Sequence, residues 1–318
     1  MSNSLLYVIT VLIWGSTWFA IEFQLGVVAP EVSLVYRYAA AALLLFAWCR
    51  FKGLGLRFRA RDHVWFAMLG LLLFGLNYVL AYRAQMFITS ALTAIAFSAI
   101  VWMNIVNARL IFGTRASGRV LLGALLGVGG ILTLFVPQIG DLSLSDSVLI
   151  GSLLAVGGAL VASFGNMASQ GAQKAGLPIM QSNAWGMFYG ALFNAGVALY
   201  GGHAFTFDFS AGYIISLVYL SVFGSIVAFG AYLTLLGRIG AHRAGYAMVM
   251  FPVVALTLSA LFEGLEIDAT IVIGTTLVLA GNLFVLGEGR PKLMRHRKAA
   301  EQVEAETVTK SKTLEAEL

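Results

Sequence analysis

The side chains of this chain that could do chemistry are aromatic and weakly polar, and they lie within long apolar runs. Phenol, indole, hydroxyl and amide groups donate or accept hydrogen bonds, and aromatic faces attract an ammonium group. Such groups suit the binding of a small solute that is largely apolar and carries one or two polar groups. The candidate substrate-binding residues are Trp14, Tyr78, Tyr82, Ser98, Trp102, Asn166 and Tyr246.

The sequence contains no pattern of residues that is typical of an enzyme active site. The histidines are scattered between and after the apolar runs, at His63, His203, His242 and His296. No cluster of His, Cys, Asp and Glu has the spacing of a metal site, and no nucleophile has a base nearby in the sequence. We therefore expect neither an enzyme nor a bound cofactor or metal. A membrane-embedded enzyme and a channel are the alternatives to a protein that binds and moves a solute.

The elements that must position the candidate residues are membrane-spanning helices. The chain is 59% hydrophobic and 11% charged, whereas a soluble domain has roughly 25% charged residues. A bilayer core of about 30 Å requires roughly 20 apolar residues in a helix, and the apolar runs are too long for the strands of a membrane barrel. We predict an all-α integral membrane protein with ten transmembrane helices, at residues 4–25, 32–50, 64–83, 88–111, 118–136, 147–171, 179–200, 212–236, 242–262 and 269–287.

Basic residues indicate the orientation of the chain in the membrane. They concentrate in the connectors after the second, fourth, sixth and eighth predicted helices and in the tail, whereas acidic residues concentrate in the other connectors. We therefore predict a multi-pass protein of the inner (plasma) membrane with its N- and C-termini in the cytoplasm. The net charge of +5 is spread over short connectors, so the expected partners are the lipid bilayer and a small-molecule substrate, with no nucleic acid.

An internal repeat is indicated by a shift of 151 positions, which superposes residues 220–286 on residues 69–135. Under this shift, for example, Gly281 meets Gly130. Five helices in each half is an odd number, so the two halves must lie inverted in the membrane. Inverted repeats are the architecture of secondary transporters, whose substrate site lies near the midplane between the halves.

The repeat divides the chain into three parts. Residues 1–140 are the first five-helix repeat, residues 141–290 are the second, inverted repeat, and residues 291–318 are a basic and then disordered cytoplasmic tail. A structural or assembly protein of ten helices is the simpler interpretation. The repeat, the short connectors and the many small residues in the spans favour a transporter.

Short motifs follow one another in order along the chain, most of them in its second half. They are Trp14-Gly15-Ser16, Tyr36-Arg37-Tyr38, Ala231-Tyr232-Leu233, Arg238-Ile239-Gly240-Ala241, Pro252, Leu261-Phe262-Glu263-Gly264, Gly274 and Ala280-Gly281. With these motifs the sequence resembles the EamA family of the drug/metabolite transporter (DMT) superfamily across residues 5–287. The first half departs from the pattern, with Val101 in place of the proline and Phe112 in place of the acidic residue. The resemblance implies a transporter of ten helices in an inverted repeat, with amino-acid export among the family's activities.

Several candidate residues have a structural interpretation beside the functional one. Trp14 is followed by two small residues and also suits close helix packing. Tyr78 and Trp102 lie deep in their predicted helices, where their polar atoms need a partner or a cavity. Tyr82 lies nearer the helix end and also suits the membrane interface.

Glycine and proline residues mark the places where helices could bend or approach closely. Pro252 and Gly165 are the candidate hinge or gate residues, because proline leaves a backbone carbonyl without its helical partner. A plain structural kink is the alternative. The glycines of Gly123-x-x-x-Gly127 form a packing face, which either the tenth helix or a second copy could fill, so we expect a monomer or a weak homodimer.

The expected activity is export of neutral or hydrophobic amino acids, with efflux of cationic or lipophilic drugs as the alternative. No acid or histidine lies near the centre of a predicted span, so we expect facilitated movement or exchange without proton coupling. Arg37 and Arg83 approach the outer surface, where Arg37 suits an ion pair with Glu22. The remaining basic residues lie in cytoplasmic connectors or the tail. Because phosphate recognition enlists buried cations, sugar phosphates are disfavoured.

Overall fold

The computed structural model describes residues 1–88, 93, 96–97, 99–140, 146–251, 253–254 and 269–286, and every regular element in these residues is helical. Two candidate site residues, Ser98 and Pro252, lie outside the described residues, as do Glu263 and the predicted tail at residues 291–318. Over its described part the chain is therefore all-α, as the sequence predicts.

The helices lie in the segments predicted as membrane spans. The third and eighth helices each contain a π-helical stretch, Gly70–Leu76 and Leu220–Val227 respectively. The bounds are α1 Asn3–Glu22, α2 Pro30–Phe51, α3 Ala60–Gln85, α4 Ile100–Phe112, α5 Gly118–Gly140, α6 Asp146–Lys174, α7 Ile179–Tyr200, α8 Ala211–Ile239, α9 Ala241–Ala244 with the 3₁₀ segment Gly245–Met250, and α10 Ala269–Leu286.

Five helices are long and apolar enough to cross a membrane by their length and composition: α1, α2, α3, α8 and Ser147–Lys174 within α6. Three further apolar helices are shorter, namely Ile100–Phe112, Gly118–Thr133 and Ala269–Val285. The chain is therefore a multi-pass membrane protein. The count of ten spans, their inverted arrangement and the side on which the termini lie stay predictions.

Local sequence signals set several helix ends. Ser2 and Ser210 precede α1 and α8, and their hydroxyl oxygens accept hydrogen bonds from the backbone N–H groups of Leu5 at 3.2 Å and Tyr213 at 3.3 Å. These bonds satisfy donors that have no partner within the helix. Gly113 ends α4 with φ of +67°, a left-handed conformation that glycine adopts without a steric penalty.

The two π-helical stretches occupy corresponding positions under the 151-residue shift, to within one residue. In each stretch a backbone carbonyl accepts a hydrogen bond from a side chain of another helix. Asn194 Nδ2 donates to Phe74 O at 3.1 Å, and Trp14 Nε1 donates to Gly224 O at 2.9 Å. Because π-helical turns are rare and often lie at functional sites, we expect a functional site in the space between α1, α3 and α8.

The glycine face of α5 packs against α10 within the chain. A β-carbon added at Gly123 would lie 2.7 Å from Gly281 O, and one added at Gly130 would lie 2.7 Å from Gly274 O. Glycine at these positions lets the two backbones approach closely. Of the two occupants considered for this face, the structure places the tenth helix there, so the face is not free for a second copy.

Candidate functional site

A cavity of about 60 Å³ lies between α1, α3, α6, α8 and the 3₁₀ segment Gly245–Met250. One water needs roughly 10–15 Å³ of such space, so the cavity holds about four to six waters or a small solute of similar size. Its lining is mostly apolar and aromatic, with a few amide and hydroxyl groups. The lining residues are Trp14, Thr17, Trp18, Ile21, Leu73, Asn77, Tyr78, Ala81, Phe97, Ala162, Asn166, Phe229, Tyr232, Met248 and Phe251.

Aromatic contacts hold the walls of the cavity in place. The ring of Trp14 lies 4.7 Å from that of Phe229 and 5.0 Å from that of Tyr232, measured between centroids. The rings of Trp18 and Phe97 are 5.2 Å apart in an edge-to-face arrangement. Pairs with this geometry are favourable because the positive edge of one ring meets the negative face of the other. The cavity is therefore bounded by fixed aromatic groups that can contact an apolar side chain or a cation.

Four polar atoms of the cavity residues make no hydrogen bond to any described part of the chain. They are Asn77 Oδ1, Asn166 Oδ1, Trp18 Nε1 and Tyr232 Oη. Asn77 and Asn166 are only 5% and 1% exposed. A buried polar atom without a partner costs roughly 1–3 kcal/mol, so a solute that pairs with these atoms gains binding free energy. The residues that line the cavity thus carry two amide-oxygen acceptors, one indole donor and one phenol hydroxyl without a partner.

A hydrogen-bonded chain fixes the orientation of the Asn166 amide. Asn166 Nδ2 donates to Asn104 Oδ1 at 3.2 Å, and Asn104 Nδ2 donates to Ala241 O at 3.4 Å. This chain links α6, α4 and the start of α9. One turn further along α4, Asn107 Nδ2 donates to Ser163 Oγ at 2.9 Å. Because the nitrogen of Asn166 donates to Asn104, the oxygen is the atom of this amide that remains to accept a hydrogen bond, and the Tyr232 hydroxyl lies near the same two amides.

Arg37 lies in the core beside the cavity, and the predicted ion pair with Glu22 is wrong. Arg37 is fully buried, whereas Glu22 is exposed at the end of α1. Arg37 Nε donates to Ser225 Oγ at 2.9 Å and Nη1 donates to Tyr82 Oη at 3.4 Å. Its guanidinium carbon lies 4.7 Å from the ring centroid of Tyr78, a cavity residue. Neutral hydroxyls and an aromatic face hold this cation inward, which keeps it from reaching the interface.

An ion pair joins the start of α2 to the end of α3. Arg83 Nε and Nη2 both lie 2.6 Å from Glu31 Oε1, and His203 Nε2 lies 3.8 Å from Glu31 Oε2. The Glu31 side chain is 1% exposed, whereas that of Arg83 is 46% exposed. The carboxylate is therefore buried behind its arginine, and the pair ties α2, which carries Arg37, to α3, which lines the cavity.

The structure brings three of the candidate residues together at the cavity: Trp14, Tyr78 and Asn166. Tyr82 lies one turn from Tyr78, fully buried, and its hydroxyl oxygen accepts from Arg37 instead of lining the cavity. Tyr82 therefore positions the arginine and does not contact the open space.

The other described candidates lie away from the cavity lining. Trp102 and Tyr246 pack in a separate apolar cluster formed by α4, α5, α9 and α10, where Tyr246 Oη donates to the carbonyl of Gly123. Gly165 faces α3, and a β-carbon added there would lie 2.6 Å from Leu73 Cγ. At Gly165 the structure thus shows close packing against a cavity-lining helix.

Several lining residues were not among the sequence candidates, although some carried a signal. Trp18 follows Trp14 by four residues and so shares its helix face. Asn77 is an amide in the middle of an apolar run, and a polar group there needs a partner. Tyr232 is part of a motif that was used for the family resemblance. Thr17 carried no such signal, because a small hydroxyl residue in a span also suits plain packing.

Comparison with known proteins identifies relatives over most of the chain. Residues 1–136 and 149–287 match the EamA-like transporter family. The uncharacterised transporter YoaV of Bacillus subtilis (strain 168) is 23% identical over 282 residues, which cover 85% of this chain and 91% of the relative. The uncharacterised inner membrane transporter YedA of Escherichia coli (strain K12) is 28% identical over 255 residues, 78% of each chain. A solved crystal structure matches 93% of this chain and 98% of its own with a TM-score of 0.75 at 18% identity, which is a likeness of fold.

Proposed function

This chain belongs to the EamA-like transporter family, and we propose that it is a secondary transporter that exports a small neutral or hydrophobic amino acid by alternating access. The cavity of about 60 Å³ is the proposed substrate site. The proposed location is the inner (plasma) membrane with both termini in the cytoplasm. The relative YedA, described as an inner membrane transporter, supports that location.

The observation that carries the proposal is the pair of free amide oxygens in an aromatic cavity. Asn77 Oδ1 and Asn166 Oδ1 can each accept a hydrogen bond from an ammonium group, which has three donors. The face of Trp14 adds an attraction for the positive charge, whereas the ring of Tyr78 already lies against the Arg37 guanidinium. Phe229 and Met248 offer apolar contact for a side chain, and the thioether of methionine adapts to different shapes.

Alternating access is supported by the way the two halves of the chain correspond. The π-helical stretches lie at matching positions, and helices at matching positions, α2 with α7 and α5 with α10, pack against each other. In transporters built from inverted repeats, one half rocks against the other around a central site. We propose that residues 1–140 and 141–290 are these halves and that Gly165 and Pro252 allow their helices to adjust.

Transport is proposed to follow the gradient of the substrate itself, by facilitated movement or exchange. Among the described residues that line the cavity, none is a carboxylic acid or a histidine. Ionisable residues of this kind serve as proton relays in membrane pumps and transporters. An imposed pH gradient should therefore leave the direction of net movement unchanged in liposomes that contain the protein.

A counterflow assay in liposomes tests the proposal. Purified protein is reconstituted with an excess of one unlabelled solute inside, and uptake of the labelled solute is followed. The panel contains neutral amino acids from alanine to phenylalanine, a lipophilic cation and a sugar phosphate. We expect saturable uptake of at least one amino acid and none of the sugar phosphate.

The other outcomes identify the alternatives. Movement of the lipophilic cation with no movement of any amino acid would establish drug efflux instead. Current that does not saturate and selects among ions would indicate a channel. Chemical conversion of a lipid or peptide would indicate an enzyme. The matched control is Trp185→Ala, because Trp185 packs against Phe46 and His63, away from the cavity lining, and this variant should transport as the wild type does.

A further inference from the structure

Arg37 is a buried cation whose charge the described residues do not balance. It is fully buried, and no described carboxylate lies within ion-pair distance of it. Its contacts are the hydroxyls of Ser225 and Tyr82 and the aromatic faces of Tyr78 and Tyr38. Taking a charge out of water is expensive unless a partner of opposite charge compensates it. The fold thus holds an arginine ready for an anion that this part of the chain does not supply.

One nitrogen of the guanidinium is left without a hydrogen bond. Arg37 Nη2 has no partner in the described part of the chain, although Nε and Nη1 both donate. Ser225 is itself fixed, because its hydroxyl donates to Leu220 O at 2.9 Å across the π-helical stretch of α8. Two of the nitrogens therefore anchor the side chain, and the third remains to donate to a ligand.

The free nitrogen lies next to the cavity wall, at a gap that Gly224 keeps open. A β-carbon added at Gly224 would lie 3.3 Å from Arg37 Nη2 and 3.1 Å from Thr17 Cγ2. Thr17 lines the cavity, as does Tyr78, on whose ring the guanidinium stacks. Arg37 Nη2 is thus a buried atom next to two residues that line the cavity. It reaches a solute only if the side chain of Thr17 or Tyr78 moves aside.

We propose that Arg37 is the anion-binding residue of the transporter and that its ligand is the carboxylate of the substrate. This rests on the proposed function, since it names the group by which that same cavity selects its substrate. A guanidinium donates strong, charge-assisted hydrogen bonds to a carboxylate. The amide oxygens of Asn77 and Asn166 then receive the ammonium group, so the site as a whole matches a zwitterion.

Arg37 also distinguishes between the classes of substrate that an aromatic lining alone would accept. A lipophilic cation would place a second positive charge beside a buried cation that has no counter-ion, which is unfavourable at low effective dielectric. A sugar phosphate carries up to two negative charges, more than the single guanidinium balances. A small amino acid, with one carboxylate and one ammonium group, matches the charge of the site.

The wild-type protein alone allows a first test. Each amino acid that moves in the counterflow assay is compared with its carboxamide, in which the ammonium group and side chain are kept and the carboxylate is lost. We expect the carboxamide to have a KM about 10- to 100-fold higher, the factor that a hydrogen bond to a charged group contributes. Equal KM values for acid and amide would overturn the role of Arg37 while leaving the transporter in place. If only the lipophilic cation moves, the proposed function itself fails.

Variants then test whether Arg37 causes the preference for the amino acid over its carboxamide. Arg37→Gln should raise the KM of the amino acid about 10- to 100-fold and leave that of the carboxamide within about threefold, so the preference for the acid disappears. Arg57→Gln, at an exposed position in the connector before α3, is the matched control and should keep the preference. A purely structural role for Arg37 would weaken transport of acid and amide alike.

Gly224 offers a second test, which does not depend on the folding of an Arg37 variant. Gly224→Ala places a methyl group between Arg37 Nη2 and Thr17, so it should also reduce the preference for the acid over the amide. Gly230→Ala, two turns along the same helix with open space around its β-carbon position, is the control and should behave as wild type. An unchanged preference in Gly224→Ala, with transport intact, would contradict the proposed path from cavity to arginine.

Discussion

Replacing Asn166 separates the binding role of its side chain from its packing role, because Asn107 offers a matched control. Asn166→Ala removes the 3.2 Å hydrogen bond to Asn104 Oδ1 together with the free oxygen in the cavity. Asn107→Ala removes the 2.9 Å hydrogen bond to Ser163 Oγ, but Asn107 does not line the cavity. Both asparagines are buried and both bond a neighbouring helix, so the two changes differ mainly at the substrate site.

The expected magnitudes follow from these contacts. Each variant leaves one buried hydrogen-bonding partner unpaired, which lowers the free energy of unfolding by roughly 1–3 kcal/mol. Asn166→Ala also loses an acceptor for the substrate ammonium group, and a hydrogen bond to a charged group contributes roughly 1.5–3 kcal/mol, or about 10- to 100-fold in affinity. We therefore expect a KM about 10- to 100-fold higher in Asn166→Ala and an unchanged KM in Asn107→Ala.

Counterflow in liposomes gives the KM of each variant, and unfolding in detergent solution gives its stability. Comparing them at a temperature where both variants remain folded prevents a loss of protein from being read as a loss of affinity. The reasoning is refuted if the two variants raise the KM equally, or if Asn166→Ala loses stability without any change in KM. Either result would make Asn166 a packing residue only.

Two further predictions concern the aromatic wall and the glycine face. Trp14→Ala should lower transport at least tenfold more than Trp102→Ala, because only the first of these rings bounds the cavity; initial rates at equal protein content decide this, and equal losses would remove the cavity assignment. Gly281→Ala should lower the unfolding free energy by roughly 1–3 kcal/mol through overpacking, because its β-carbon would lie 2.6 Å from a backbone carbonyl of α5. Gly129→Ala, with open space at its β-carbon, should be neutral or slightly stabilising, and similar melting temperatures for the two glycine variants would contradict this account of the helix pair.

Helix positions were predictable because the bilayer imposes length and polarity on each segment. α7 spans Ile179–Tyr200, the residues predicted for the seventh helix, and α2 differs from its prediction by only a few residues. The π-helical stretches were not predictable in this way. Apolar periodicity reports which face of a helix is buried, and it does not report whether one carbonyl of that helix bonds to Asn194 or Trp14 of another helix.

The candidate site was predictable where the residue type itself demanded a polar contact, and less so where the partner was distant. Asn166 and Tyr78 stood out as polar groups deep in apolar runs, and both line the cavity. Tyr246 carried the same signal, but its hydroxyl is satisfied by a carbonyl of α5 that glycine packing brings close. Arg37 was expected to reach the interface, but hydrogen bonds to Ser225 and Tyr82 hold it in the core. Both partners lie far from Arg37 in the sequence, so no local pattern reveals them.

The matching positions of the π-helical stretches bear on the history of the chain. A π-helical turn bonds residue i to i+5 and so holds one residue more than the α-helical turn it replaces. Gly70–Leu76 and Leu220–Val227 begin 150 residues apart, close to the shift that relates the two halves. If the two halves are repeats, as the sequence predicts, a single-residue insertion in an ancestor of half the present length, made before its gene was duplicated, would account for both. The extra residue in each half would then be an inherited trait with one origin, and sequence alignments of relatives should place it in the same column of both repeats.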